Sequence, residues 1–147
     1  MLIACVDLTR SYHQHANGTI LSQSFIGYTT DQNNSYWTNY ASDEAPNNLA
    51  ICVTTVGGVL RTGLMDGIRA SGRYSDNISI HCSPLIAPPN PPPLYCGWTA
   101  YFSEEQPNGG VLWDEQKIIG LRCRGSYCDE MSLLVCSNNP QYTYPNP

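Results

Sequence analysis

Short apolar and alternating runs, separated by polar and glycine-rich stretches, set the pattern of this chain. MLIACVDL, residues 1–8, reads as a buried strand, apolar but for Asp7, and SFIGYTT is an apolar island in an otherwise polar segment reaching residue 35. LAICVTTV, a Gly57-Gly58 turn, VLRTGLMDGIRA and NISIHC follow, each alternating or β-branched in the way short strands are. In NISIHC the period of two puts Ile78 and Ile80 on one face and Ser79 and His81 on the other, so His81 is expected toward solvent. SLLVC occupies the corresponding place further on, with one extra residue before its cysteine that a β-bulge would absorb. The best helical candidate, DEQKIIGLR, has Asp114 as a cap but is interrupted by Gly120, so little helix is expected.

The later half of the chain repeats the earlier half. Trp37-Thr38 matches Trp98-Thr99, and each pair is followed by a serine and two carboxylates, Ser42-Asp43-Glu44 and Ser103-Glu104-Glu105. The stretch Asp66 to Ile80 then lies over Ile119 to Leu133 without a gap, matching Gly67, Arg69, Gly72, Tyr74, Asp76 and Ser79 to Gly120, Arg122, Gly125, Tyr127, Asp129 and Ser132. The spacer between the blocks differs, 30 residues from Trp37 to Gly67 and 22 from Trp98 to Gly120, which predicts a surface loop there. Between the copies, SPLIAPPNPPPLY carries six prolines in thirteen residues, the composition of an extended polyproline spacer. The tail, QYTYPNP, repeats that style and suggests docking onto another subunit.

Cys123 and Cys128 of the second copy are replaced together by Ala70 and Ser75 in the first, as the two halves of a disulfide would be. A zinc site would need a second ligand pair at similar spacing, and none is present. Of the other five cysteines, Cys52 with Cys82 would staple the first copy and Cys96 with Cys136 would bracket the second, although other pairings are open. Cys5 is then odd, an intermolecular or buried free thiol.

The succession WT, SEE and GLRCRGSYCDE ending at Cys136 resembles a small cysteine-rich repeat of secreted and cell-surface proteins, often appended to other domains. In that repeat a cysteine sits in the middle of each copy. Cys52 fills the place in the first copy and nothing fills it in the second.

Composition agrees with an extracellular setting. Only 13% of residues are charged, and seven cysteines accompany lobes too small to bury a large core unaided. The net charge of -5, with no basic stripe, argues against nucleic acid, and no apolar run of about 20 residues offers a membrane span. MLIACVDL is not a signal peptide, so the expectation is that the numbering starts inside a precursor or that Met1 comes from expression. Asn17, Asn33 and Asn77 head glycosylation sequons, the last inside the repeat motif.

Candidate chemistry is thin. The adjacent carboxylates could serve sugar hydrolysis or calcium, but neighbouring residues on a strand face opposite ways and no EF-hand loop occurs. His13 and His15 lie in a polar stretch, and no nucleophile motif is present. No catalytic residue, metal or cofactor is therefore assigned. Trp37, Trp98, Arg69, Arg122, Tyr74 and Tyr127 recur at matching places as candidate ligand contacts, against a plainer reading in which each Arg pairs with Asp76 or Asp129.

These observations predict a mostly β protein of two small disulfide-stapled pseudo-repeat lobes joined by a polyproline linker. The divisions are 1–35 as an N-terminal segment, 36–82 as lobe 1, 83–95 as linker, 96–136 as lobe 2 and 137–147 as tail. The expected function is that of an extracellular, non-enzymatic structural or adhesive subunit associating with copies of itself, filamentous and glycosylated. A lectin-like module with one glycan site per lobe is the alternative, and a secreted inhibitor or toxin a third.

Overall fold

A computed structural model describes residues 19–20, 27–44, 48–72, 77–103 and 116–138. The described chain is mostly β, with eleven strands in two sheets, two single 3-10 turns at Gln32–Asn34 and Ser126–Cys128, and no α-helix. Cys5, Asn17, Tyr74, the two N-terminal histidines, Asp76, Glu104, Glu105 and the tail from 139 on lie outside the described residues.

The first sheet is built on a long hairpin of β6 (Val59–Ser71) and β7 (Asn77–Ile86). β1 (Thr19–Ile20) and β5 (Val53–Val56) pair with β6, while β2 (Thr29–Thr30) and β3 (Tyr36–Trp37) pair with β7. The second sheet repeats the design: β10 (Lys117–Arg124) and β11 (Glu130–Ser137) form the hairpin. β4 (Leu49–Ile51) pairs with β10, and β8 (Tyr95–Trp98) and β9 (Phe102–Ser103) pair with β11.

The registers coincide across the repeat. Trp37 stands opposite His81 as Trp98 stands opposite Leu134, and Arg69 opposite Ser79 as Arg122 opposite Ser132. Both hairpins carry a bulge at the same place, at Asp66 between Met65 and Gly67 and at Ile119 between Ile118 and Gly120. Gly120 is required there, since a Cβ would lie 2.9 Å from the carbonyl oxygen of Ala50.

One apolar cluster joins the sheets. Met65, Ile68, Ile78, Ile80 and Cys82 of the first pack with Leu121, Cys123, Met131, Leu133 and Val135 of the second, around Ala41, Ala50 and Cys52. A smaller cluster forms from Leu64, Leu85, Ile119 and Cys136, with Tyr28, Leu94 and Leu134 against it.

Several details differ from the sequence reading. β4 lies within the first copy by sequence yet pairs in the second copy's sheet, and the backbone N–H of Cys52 donates to the carbonyl of Ile119. An element with apolar Ala50 and Ile51 goes where an open strand edge and a core need filling, and that edge belongs to β10. Ser83 to Ile86, assigned to the linker, are the last residues of β7, because Leu85 is apolar and Pro84 needs no donor at its position. DEQKIIGLR contributes a strand, not a helix, from Lys117 onward. The extra residue before Cys136 is not absorbed by a bulge, since β11 runs in regular register past β8. Instead it turns Cys136 to the face opposite that of Cys82, as a one-residue shift must.

Candidate functional site

The repeated residues build the same structure twice, on the side of each hairpin away from the main core. Thr38 and Ser79 form a clasp: the Ser79 hydroxyl donates to the Thr38 carbonyl at 2.6 Å, and the Ile80 N–H donates to the Thr38 hydroxyl at 3.1 Å. Thr99 and Ser132 repeat it, with distances of 2.6 Å and 2.9 Å. The clasp replaces the ladder bonds lost where the chain leaves the strand after each Trp, and it explains why WT and a serine recur together.

Next to each clasp an arginine lies over aromatic rings. The Arg69 guanidinium carbon is 4.4 Å from the Trp37 ring centre and 5.4 Å from that of Tyr40. Arg122 is 4.4 Å from Trp98 and 4.9 Å from Tyr101. The Nε of both arginines is buried without a hydrogen-bond partner among the described residues. Each guanidinium lies over ring faces; among the described residues Arg122 makes no ion pair with Asp129, and Asp76, the partner expected for Arg69, lies outside them. The stacks occupy one face of Trp37 and Trp98 with the chain's own cations.

The two stacks are extended differently: in the second, Arg124 lies over the other stacked ring, Tyr101, at 3.8 Å and pairs with Glu130 at the surface, whereas the first meets a histidine and a buried aspartate. His81 meets Trp37 edge-on with ring centres 5.1 Å apart, and its Nδ1 lies 2.5 Å from an Asp66 carboxylate oxygen. The other oxygen accepts from the Ser83 hydroxyl at 2.6 Å. Asp66 is buried at the bulge, and His81 is largely covered rather than facing solvent. At the matching places the second copy has Ile119 and Leu134, both in the smaller apolar cluster. Period two alone missed this pair, because the bulge turns Asp66 toward His81. Asp66 and His81 are absent together from the second copy, and that was the available signal.

The disulfides bond Cys52 to Cys82, Cys96 to Cys136 and Cys123 to Cys128. Cys96 and Cys136 are direct cross-strand partners. The Cys123–Cys128 loop has positive φ at Gly125, Tyr127 and Cys128. The N–H of Tyr127 donates to the Asp43 carboxylate at 3.1 Å, so this acid from the first copy caps a loop of the second. Tyr127 is exposed, and Tyr40 and Tyr101 are the tyrosines under the two arginines.

Asn33 is exposed in a 3-10 turn, while Asn77 opens β7 with Ile78 and Ser79 of its sequon fully buried. The proline segment is held at several points, since the Tyr28 hydroxyl donates to the Pro92 carbonyl and the Asn138 amide to that of Pro93. Among the described residues no three His, Cys, Asp or Glu side chains gather as metal ligands, and no helix is long and apolar enough to cross a membrane.

Among the described residues, the most exposed apolar surface is the hairpin of β5 and the start of β6, VTTVGGVL. Its tip is Gly57-Gly58, both with positive φ as a tight two-residue turn requires. Val53 is 45% exposed, Val59 59% and Leu60 71%. Beyond Gly63, the last β6 residue on this side to face β7, the hairpin projects as a two-stranded arm. Arg61 steadies it through Asp31, 3.5 Å away. No family model, curated protein or solved structure matches the chain.

Proposed function

We propose that this chain is a non-enzymatic, extracellular structural subunit that associates with copies of itself. The projecting β5–β6 arm carries the reading. A two-stranded hairpin is marginal by itself in water, and this one exposes Val53, Val59 and Leu60 instead of burying them. Burial against another molecule removes that cost. Three disulfides suit an oxidising compartment, and the exposed Asn33 turn leaves room for a glycan.

The lectin-like reading rests on the repeated Trp37/Arg69 and Trp98/Arg122 stacks, with Tyr40 41% exposed beside one of them. It ranks second because each Trp already carries its own arginine. Sedimentation velocity over a wide concentration range tests the main reading, with and without competing glycans. Assembly that grows with concentration, is insensitive to sugars and is weakened by Leu60→Asp is expected. A concentration-independent monomer, with binding to a glycan array lost in Trp37→Ala, would replace it with the lectin reading.

A further inference from the structure

We propose that the open edge of β5 pairs with β5 of a second copy, two-fold and antiparallel, so that the two arms form one four-stranded sheet. This rests on the self-association proposed above and names its surface.

Backbone register carries the argument. The N–H of Gly63 donates to the carbonyl of Cys52 at 2.7 Å, and the paired residues alternate from there to the Gly57-Gly58 turn. In an antiparallel ladder every second pair exchanges hydrogen bonds. Thr54–Arg61 and Val56–Val59 therefore bond within the hairpin, while the N–H and C=O of Val53 and Thr55 point away from β6. Among the described residues no strand pairs with that edge.

Those four groups are self-complementary. With Thr54 opposite Thr54 of the second copy on the two-fold axis, Val53 faces Thr55 of the other chain and Thr55 faces its Val53. Each pair exchanges two hydrogen bonds, as an isologous interface demands. The same register sets Val53, Thr55 and Leu60 on one face of the joined sheet, extending the exposed apolar surface across the axis.

Charge does not oppose a second copy at this edge. The chain carries a net -5, so two copies repel in general, but residues 53–60 are uncharged and Arg61 is neutralised by Asp31 of its own chain. The edge also has no lysine, proline or bulge of the kind that blocks strand addition.

The test uses the full chain. Thr55→Pro removes an outward N–H and leaves the hairpin's own bonds intact. Two donors are lost per dimer, so the dissociation constant from sedimentation should weaken by about 30-fold, with an unchanged near-UV circular dichroism spectrum. In the unsubstituted chain, hydrogen exchange at the Val53 and Thr55 amides should slow as concentration rises. Association with unchanged affinity in Thr55→Pro would overturn edge pairing while leaving self-association standing. A monomer at all concentrations would overturn both. Protection of the two amides that is independent of concentration would assign the edge to another segment of the same chain and overturn the proposal.

Discussion

Asp66 and His81 show what one pair of residues does to a sheet that otherwise repeats itself. The buried carboxylate is satisfied from two sides, by His81 and Ser83, and loses that balance when either is removed. His81→Leu should destabilise the fold by about 3 kcal/mol in urea denaturation, because a buried carboxylate is left partly unpaired. Asp66→Ile with His81→Leu copies Ile119 and Leu134, and the double variant should be more stable than His81→Leu alone. If the double is worse, the two hairpins differ in packing and not only in this pair. Tyr36 is a second informative residue. Burial raises its phenol pKa above the ordinary 10.0, and its hydroxyl has no hydrogen-bond partner among the described residues. Its stabilising contribution is complete below the unfolded value and is lost as pH rises through the folded one, since the unfolded chain ionises first. Tyr36→Phe should therefore flatten the decline in stability above about pH 10.

At the scale of elements, the disulfides and the strand pairs act on different loops. Cys52–Cys82 and Cys96–Cys136 span 30 and 40 residues, whereas Cys123–Cys128 spans 5. On chain entropy, opening a long bridge should cost about 4 kcal/mol and opening the short one about 2 kcal/mol. Cys123→Ala with Cys128→Ser reproduces the first copy's Ala70 and Ser75. Denaturation midpoints should therefore fall least for that variant and further for Cys52→Ala with Cys82→Ala. Equal losses would show that the short loop is held by more than its ring. Gly125 belongs to the same element: its φ is +78°, and a Cβ there would run into the Asp129 carboxylate. The equivalence of the two hairpins was legible because Trp, Arg, Ser and Gly recur at fixed offsets, but their strand pairing and register were not. The bulges were not legible, since a bulge adds no residue type of its own.

For the whole molecule, the exchange of β4 decides how the copies depend on one another. A fragment of residues 87–138 keeps β8 to β11 and two disulfides but lacks β4, whose Ala50 is buried in the shared core. Such a fragment should show poor amide dispersion by NMR, and adding a peptide of residues 48–56 should restore it. A fragment that folds unaided would establish the second copy as an autonomous lobe. The sequence by itself determined the β class, the internal repeat and the Cys123–Cys128 pair, because these follow from alternation, self-similarity and paired substitution; the pairings Cys52–Cys82 and Cys96–Cys136 were choices among open alternatives that the structure decided. Only the tertiary structure decided that the first copy's spacer completes the second copy's sheet, that each arginine rests on aromatic rings, and that Asp66 reaches His81. Those outcomes depend on which edges and faces remain open after the hairpins form, a property of three-dimensional packing that no local pattern along the chain records.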